Sequence, residues 1–459
     1  MLFELEGKLM KIGLFVQDKS PEKCNRTVFE EEMKKISESN LDLLVFPEEC
    51  YTDFSKMASN FDVIDYDSGY IIAGFCDALC KKAGSAIVYS GSDMFGMSFN
   101  MFSDGADEES NEGMGFKLYI KHFVNHLNNE FSPFQMDDYR EWAEAFFNPF
   151  PITDKLFCMM DGDDAKYSAL STICNNNGAE VFINVLGADA DYNESFTLNR
   201  VRAAETKSFV FGLTPANGEK NGGFVFGFAP DGSLMEGTPV YDNGKIAGNV
   251  FVYDTENYNS ESVSVCEKDE VLAENPDFVL DCETVEELIK SANKIADNIY
   301  SKELNNINLV IILVKNEDIM NPVITLDAFY NPALKEIENK RYLLINKWDK
   351  DFGEYDGIID DVIEARTIEN RCASVLCGPD YKKCCQIDKN GQFVVIDGEQ
   401  GRFGLTMDVV GGPEFIWNEE KGGFPENWRE YYEDLIKVVH GEKIASDEPV
   451  KKEVNFDIL

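Results

Sequence analysis

The alternation of apolar and polar residues predicts strands and helices in turn along most of the chain. Residues 11–17 (KIGLFVQ) and 41–46 (LDLLVF) are short apolar runs rich in β-branched and aromatic residues, which is typical of buried strands. Between them, residues 27–37 (TVFEEEMKKIS) predict a helix. A strand, a helix and a strand joined by short links indicate a βαβ unit with a parallel pair of strands.

The same alternation continues to about residue 255, so residues 1–255 are expected to form one α/β domain. Within it the pattern predicts strands at 86–90, 99–102, 117–120, 156–160, 180–185, 209–213, 224–228 and 248–253, and helices at 70–84, 165–175 and 196–206.

The remaining residues, 256–459, predict a second domain with a similar order of elements. A capping box formed by Thr284 and Glu287 indicates the start of an amphipathic helix over 284–302. After it, the pattern predicts strands at 308–314, 342–345 and 373–377 and helices at 326–338 and 359–369.

A gapless alignment connects the two domains. VRAAETKSFVFGLTP (201–215) lies against ARTIENRCASVLCGP (365–379), so that Arg202 and Glu205 meet Arg366 and Glu369 at a constant shift of 164 positions. This predicts an internal half-repeat that covers only the later αβ units of the first domain. Chance similarity between two αβ units is the alternative.

The charge balance restricts the partners. The chain has 42 basic and 84 acidic residues, a net charge of −42, which repels nucleic acid phosphates and anionic lipid. Neither nucleic acid nor a membrane is therefore an expected partner. No apolar run approaches the ~18 residues of a spanning helix, and no export signal is evident after Met1 or after Met10, the two candidate starts. A cytoplasmic protein is expected.

Cysteine and histidine usage predicts neither a metal site nor a disulfide scaffold. The 12 cysteines of a chain without an export signal are expected to be reduced. Cys372, Cys377, Cys384 and Cys385 cluster, but their spacing matches no zinc pattern. No glycine-rich phosphate loop appears, so no cofactor is expected.

Several segments, taken in order, resemble the nitrilase superfamily of carbon–nitrogen hydrolases, which use a Glu-Lys-Cys triad. They are KIGLFVQ, LDLLVFPEE, LYIKHF, the Arg202-Ala203-x-Glu205 element and NGEKNGGFVFGFAPDGSLM. The resemblance implies an α-β-β-α sandwich over about residues 10–255, followed by a partial repeat. It implies catalytic roles for Glu48 and Lys121 and a supporting role for Glu130.

The sequence has no cysteine at the position where the family pattern places the third member of the triad. A thiolate must attack the amide carbon, with a carboxylate to take the thiol proton and an ammonium beside the oxyanion. In the family the cysteine lies on a sharp turn after a strand, in a pattern like Gly-x-x-Ile-Cys-x-Asp. Counting along KLFCMMDGDDAKYS from either side puts that turn at Asp161 or Gly162, and the nearest thiol, Cys158, falls inside the predicted strand.

Two functions therefore remain open. The first is a catalytically silent nitrilase-like scaffold that binds a small amide-like ligand or a protein partner. The second is an active amidase that uses Cys158 with Glu48 and Lys121. Family members pair into homodimers, so we expect one of two arrangements. Either the second unit takes the partner's place within one chain, as an intramolecular pseudo-dimer, or whole chains form a homo-oligomer.

Overall fold

A computed structural model describes the chain in segments that together form three larger sheets and their helices. These segments are residues 10–16, 36–48, 85–92, 98–103, 116–120, 148–153, 155–187, 190–215, 223–239, 249–261, 270–271, 278–281, 284–304, 307–379, 381–387, 392–396, 402–405 and 428–442. Within the described residues, no helix is long and apolar enough to cross a membrane.

The first sheet has the order β12-β1-β2-β3-β4-β5. Its strands are β1 (Lys11–Val16), β2 (Leu43–Glu48), β3 (Ala86–Ser92), β4 (Ser98–Ser103), β5 (Phe116–Ile120) and β12 (Asn249–Asp254). The parallel pairing of β1 with β2 and of β2 with β3 agrees with the βαβ pattern of the sequence.

The second sheet has the order β13-β11-β10-β9-β8-β7-β6. Its strands are β6 (Phe150–Ile152), β7 (Lys155–Asp161), β8 (Val181–Val185), β9 (Phe209–Leu213), β10 (Val225–Phe228), β11 (Leu234–Met235) and β13 (Ser260–Glu261). Helices α1 (Ser168–Asn176) and α2 (Tyr192–Thr206) connect β7, β8 and β9, which run parallel.

The first two sheets pack face to face over one apolar core, and α1 and α2 cover the far side of the second sheet. Leu14 and Val45 of the first sheet share the inter-sheet core with Met159 and Ile183 of the second. Burial of these aliphatic and aromatic faces is the main favourable term that holds such layers together. This part of the chain is an α/β sandwich.

The third sheet belongs to the later part of the chain and has the order β14-β22-β21-β20-β19-β18-β17-β16. Its strands are β14 (Glu270–Val271), β16 (Asn293–Ala296), β17 (Ile299–Leu304), β18 (Ile307–Lys315), β19 (Lys340–Lys347), β20 (Ala373–Cys377), β21 (Lys382–Ile387) and β22 (Phe393–Ile396). A separate antiparallel pair joins β15 (Phe278–Asp281) to β23 (Arg402–Leu405).

The described residues of the later part form four helices: α3 (Val285–Lys290), α4 (Pro322–Phe329), α5 (Ile359–Asn370) and α6 (Trp428–Val439). Single 3-10 turns lie at Gly162–Lys166, Asn316–Met320, Pro332–Leu334 and Gly353–Tyr355. Strands β18, β19 and β20 run parallel and β21 returns antiparallel, which is also the arrangement of β7, β8, β9 and β10.

The helix predicted over 284–302 is wrong beyond its first turns. Helix α3 ends at Lys290, and the chain then forms the antiparallel hairpin of β16 and β17. Asn298 adopts a φ of 60° in the hairpin turn, a left-handed conformation that interrupts a helix and that asparagine tolerates better than most residues. Pairing of β17 with β18 outweighs the amphipathic helical pattern.

The expectation that every cysteine is reduced is wrong at Cys377, which is disulfide-bonded at the end of β20. The other described cysteines, Cys158, Cys174, Cys372, Cys384 and Cys385, form no disulfide and are buried.

Candidate functional site

Strand β7 leads into the bend where the sequence resemblance predicts the nucleophile, and its side chains alternate between two cores. Phe157 and Met159 point into the core between the two sheets. Cys158 and Met160 point to the opposite side, among the helices. Successive residues of a strand face opposite sides, so this assignment follows from the backbone itself.

Cys158 is therefore a core side chain, with only 1% of its surface exposed. It shares its apolar surroundings with Ala169 and Ile173 of α1 and with Phe182 of β8. A cysteine in such a place packs as a small hydrophobic residue, since a nucleophilic thiol needs an accessible, electropositive setting.

The bend after β7 is centred on Gly162. Asp161, the last residue of the strand, is extended, with φ −128° and ψ 114°. Gly162 then takes a φ of 51° and begins the 3-10 turn that leads to α1. This left-handed conformation costs glycine little, whereas a Cβ would crowd the following carbonyl oxygen.

Of the two residues that the sequence left open for the turn, Asp161 and Gly162, it is Gly162 that has a positive φ. The sequence did not separate the two, because Asp161-Gly162-Asp163 and Gly162-Asp163-Asp164 both have an aspartate two residues after the first position, as in the Cys-x-Asp pattern that the chain resembles.

Asp161 and Asp164 are the buried polar residues of the bend. Asp161 is 4% exposed and Asp164 is fully buried. The backbone N–H of Asp161 donates to the Asp164 carboxylate at 3.3 Å, which ties the end of the strand to the 3-10 turn. This hydrogen bond crosses the Gly162 position and favours one backbone shape there.

The first sheet brings the ends of two other strands to one edge. Strands β1, β2 and β3 are parallel, and β5 runs the same way because β4 is antiparallel to both β3 and β5. Glu48 ends β2, and Ile120 ends β5, at that shared edge. The side chain of Glu48 is not among those described, and Lys121 and Glu130 lie outside the described residues.

Ring contacts orient the second sheet relative to the first. Phe102 of β4 is paired with Lys117 near the amino end of β5, and its ring lies 5.3 Å from that of Phe157, near the amino end of β7. The amino ends of β5 and β7 therefore lie close together.

The later part of the chain contains a second bend of the same kind. Strand β18 ends at Lys315, Asn316 takes a φ of 44°, and a 3-10 turn over Asn316–Met320 leads to α4. The Asn316 side chain accepts a hydrogen bond from the Asp349 N–H at 3.0 Å. Neither bend carries a thiol, because Asn316 and Gly162 occupy the two positions with positive φ.

Two thiols in the later part of the chain are also too deeply buried to act as nucleophiles. Burial raises the pKa of the Cys372 thiol to about 12, and its sulfur lies 3.4 Å from the Ser374 hydroxyl. Burial also raises the pKa of Cys384 well above its ordinary value. Within the described part of the chain, no group of three or more histidine, cysteine, aspartate or glutamate side chains is placed to hold a metal ion.

No protein-family model matches the chain, and no curated protein matches it. Solved structures do match. One is a cysteine-to-alanine mutant of the Nesterenkonia AN1 amidase from the nitrilase superfamily, with 16% identity, 54% of this chain and 91% of that chain covered, and a TM-score of 0.39. Another is the same amidase in complex with butyramide, with 17% identity, 53% and 90% coverage and a TM-score of 0.38.

A third is a carbon–nitrogen hydrolase from Helicobacter pylori G27, with 13% identity, 54% and 89% coverage and a TM-score of 0.39. Over about half its length the chain is thus similar to nitrilase-superfamily amidases and to a carbon–nitrogen hydrolase.

Proposed function

We propose that this protein is a nitrilase-like scaffold that has lost its sulfur nucleophile and binds a small amide-like ligand, or a protein partner, without hydrolysing it. One observation carries the proposal: Gly162 occupies the bend after β7 with a φ of 51°. Cys158 lies four residues earlier in the helix-side core, the apolar cluster that the second sheet forms with α1 and α2. The ordered set of family-like motifs in the sequence supports the scaffold.

The chemistry of amide cleavage explains why the position of the sulfur matters. The thiolate has to approach the carbonyl carbon to about 3–3.5 Å before a thioester forms. Cys158 has backbone pairing to Phe182 of β8 and apolar neighbours on its side-chain face. To reach a substrate at the carboxyl edge of the sheet, the strand would have to break its pairing around Cys158.

What remains at that edge suits recognition better than catalysis. In this proposal Glu48 and Lys121 keep the places that the resemblance gives them, so a carboxylate and an ammonium face the bend. A carboxylate accepts from an amide N–H, and an ammonium donates to an amide carbonyl. A small carboxamide is therefore the proposed ligand class. Butyramide, which is bound in the similar Nesterenkonia amidase complex, serves as the probe.

The net charge of −42 repels nucleic acid and anionic membranes, so neither is among the proposed partners. A cytoplasmic location is part of the proposal as well, although the disulfide at Cys377 is unusual for a reducing compartment.

The proposal is tested by ammonia release from butyramide, with the intact chain, Cys158→Ala and Cys174→Ala compared. Cys174 is the matched control because it is also a buried cysteine without a disulfide in the helix-side core, on α1. The expected result is no enzyme-dependent ammonia from any of the three, with butyramide raising the melting temperature of each. Turnover by the intact chain and by Cys174→Ala, but not by Cys158→Ala, would establish the active amidase instead.

A further inference from the structure

Two equivalent helix layers meet inside this one chain. The N-terminal half (residues 10–261) contributes α1 and α2, and the C-terminal half (residues 270–442) contributes α4 and α5. Helix α2 packs on α5, and α1 packs on α4. Each helix therefore lies against its own counterpart, which is the arrangement that a two-fold interface produces.

We propose that the C-terminal half is a built-in partner: it fills the helix face of the N-terminal half where a second copy would otherwise bind, and buried charges make the unlike pairing preferred over a pairing of two like halves. The helix face is then an interaction surface whose occupant belongs to the same chain.

A quartet of ion pairs carries the two-fold character. Arg202 pairs with Glu205 on its own helix and with Glu369 across the interface. Arg366 pairs with Glu369 on its own helix at 3.0 Å and with Glu205 across the interface at 2.8 Å. Both arginines are fully buried, so all four groups depend on one another for compensation.

The ends of the two helices match residue by residue. Lys207 closes α2 with a φ of 55°, and Arg371, 164 positions later, closes α5 with a φ of 44°. The N–H of Ser208 donates to the carbonyl of Ala203 at 3.3 Å, and the equivalent N–H of Cys372 donates to the carbonyl of Thr367, also at 3.3 Å. The interface is thus formed by two copies of one local structure.

One pair breaks the symmetry. Arg200 of α2 pairs with Asp361 of α5, and both side chains are buried. Arg200 also donates to the carbonyl of Gly357, in the C-terminal half, at 2.6 Å. At the shift of 164, the counterpart of Arg200 is Glu364 and the counterpart of Asp361 is Thr197.

This asymmetry disfavours like pairings. Two N-terminal halves would place a buried Arg200 opposite Thr197, which has no charge to offer. Two C-terminal halves would place Asp361 opposite Glu364, so two buried carboxylates would meet. Opposite charges meet at this pair of positions only in the unlike pairing, which is therefore favoured over either like pairing.

Helix α6 adds a second contact between the halves. Leu435 and Ile436 of α6 enter the helix-side core of the N-terminal half, together with Leu326 of α4. The side chain of Asn176 donates to the carbonyl of Val439 at 3.3 Å. These contacts extend the interface beyond the ion pairs.

The test cleaves the folded full chain at a protease site inserted between Glu261 and Glu270, and native mass spectrometry then measures which fragments stay together. We expect the intact chain to be a monomer and the cleaved protein to remain a one-to-one complex of unlike fragments, with no like pairs after the fragments are allowed to exchange. Arg200→Asp should lower the fraction of complex, and the charge swap Arg200→Asp with Asp361→Arg should restore it.

The exposed pair Lys294 and Asp297 provides the matched control, since a charge swap there touches neither half's interface. Like pairs of fragments, spontaneous separation of the unlike fragments, or an intact-chain dimer that is lost in Arg366→Ala would each overturn the proposal.

Discussion

Arg366 on α5 donates to Glu205 on α2 at 2.8 Å, across the line where the two halves of the chain meet. Its counterpart Arg202 makes the same kind of contact with Glu369 in the opposite direction. Neither arginine has exposed surface, so each guanidinium group depends on these buried carboxylates to compensate its charge.

Replacing Arg366 with alanine should destabilise the chain by about 3–5 kcal/mol, because it leaves two buried carboxylates, Glu205 and Glu369, with the single positive charge of Arg202. Urea unfolding followed by circular dichroism measures this change in the free energy of unfolding. Lys294→Ala is the control: the Lys294 side chain is 59% exposed, and that substitution should change stability by less than about 0.5 kcal/mol. Equal effects of the two variants would contradict the burial argument.

The conformation of Gly162 predicts a graded response to substitution. Gly162→Ala should cost roughly 1–2 kcal/mol because a Cβ is placed on a residue with a φ of 51°. Gly162→Asn should cost less, since asparagine adopts the left-handed region more readily, as Asn316 does at the second bend with a φ of 44°. Thermal unfolding of the two variants gives the comparison, and a neutral Gly162→Ala would argue against the left-handed bend.

The thiol of Cys372 predicts a pH dependence of stability. Burial raises its pKa to about 12, whereas an unfolded cysteine titrates near about 8.5. The folded state then keeps a proton that the unfolded state releases. The stabilisation from this group is therefore complete below about pH 8.5 and is lost as the pH rises from there toward 12.

Urea unfolding at a series of pH values above 8 measures this loss. In Cys372→Ala the decline with pH should be shallower than in the unaltered chain. Adding Cys384→Ala should flatten it further, because burial raises the pKa of that thiol too. An unchanged slope in the double variant would mean that these two sulfurs do not titrate as buried groups.

Much of the fold could be predicted from local pattern. The strand at 209–213 and the strand at 373–377 were predicted with the bounds they have, since each is a short apolar run between turn signals. The helix over 284–302 failed because tertiary pairing of β17 with β18 decides the structure of that segment, and its spacing of apolar residues also suits a helix.

The site was predictable in part. Counting along the strand brackets the bend at Asp161 or Gly162, but only the backbone dihedral identifies Gly162 as the left-handed residue. The repeat alignment pairs Arg202 with Arg366 and Glu205 with Glu369. It does not show that each arginine forms an ion pair with the glutamate of the other helix. Contacts between distant segments depend on how the layers dock, which local pattern does not contain.

The central claim is that no reactive sulfur lies at the bend after β7. Labelling of the native, pre-reduced protein with iodoacetamide at neutral pH, followed by peptide mapping, tests it most directly. We predict that Cys158 reacts only as fast as global unfolding allows, and that Gly162→Cys gains one rapidly labelled thiol at the new position. Rapid labelling of Cys158 in the unaltered chain, suppressed by butyramide, would contradict the account.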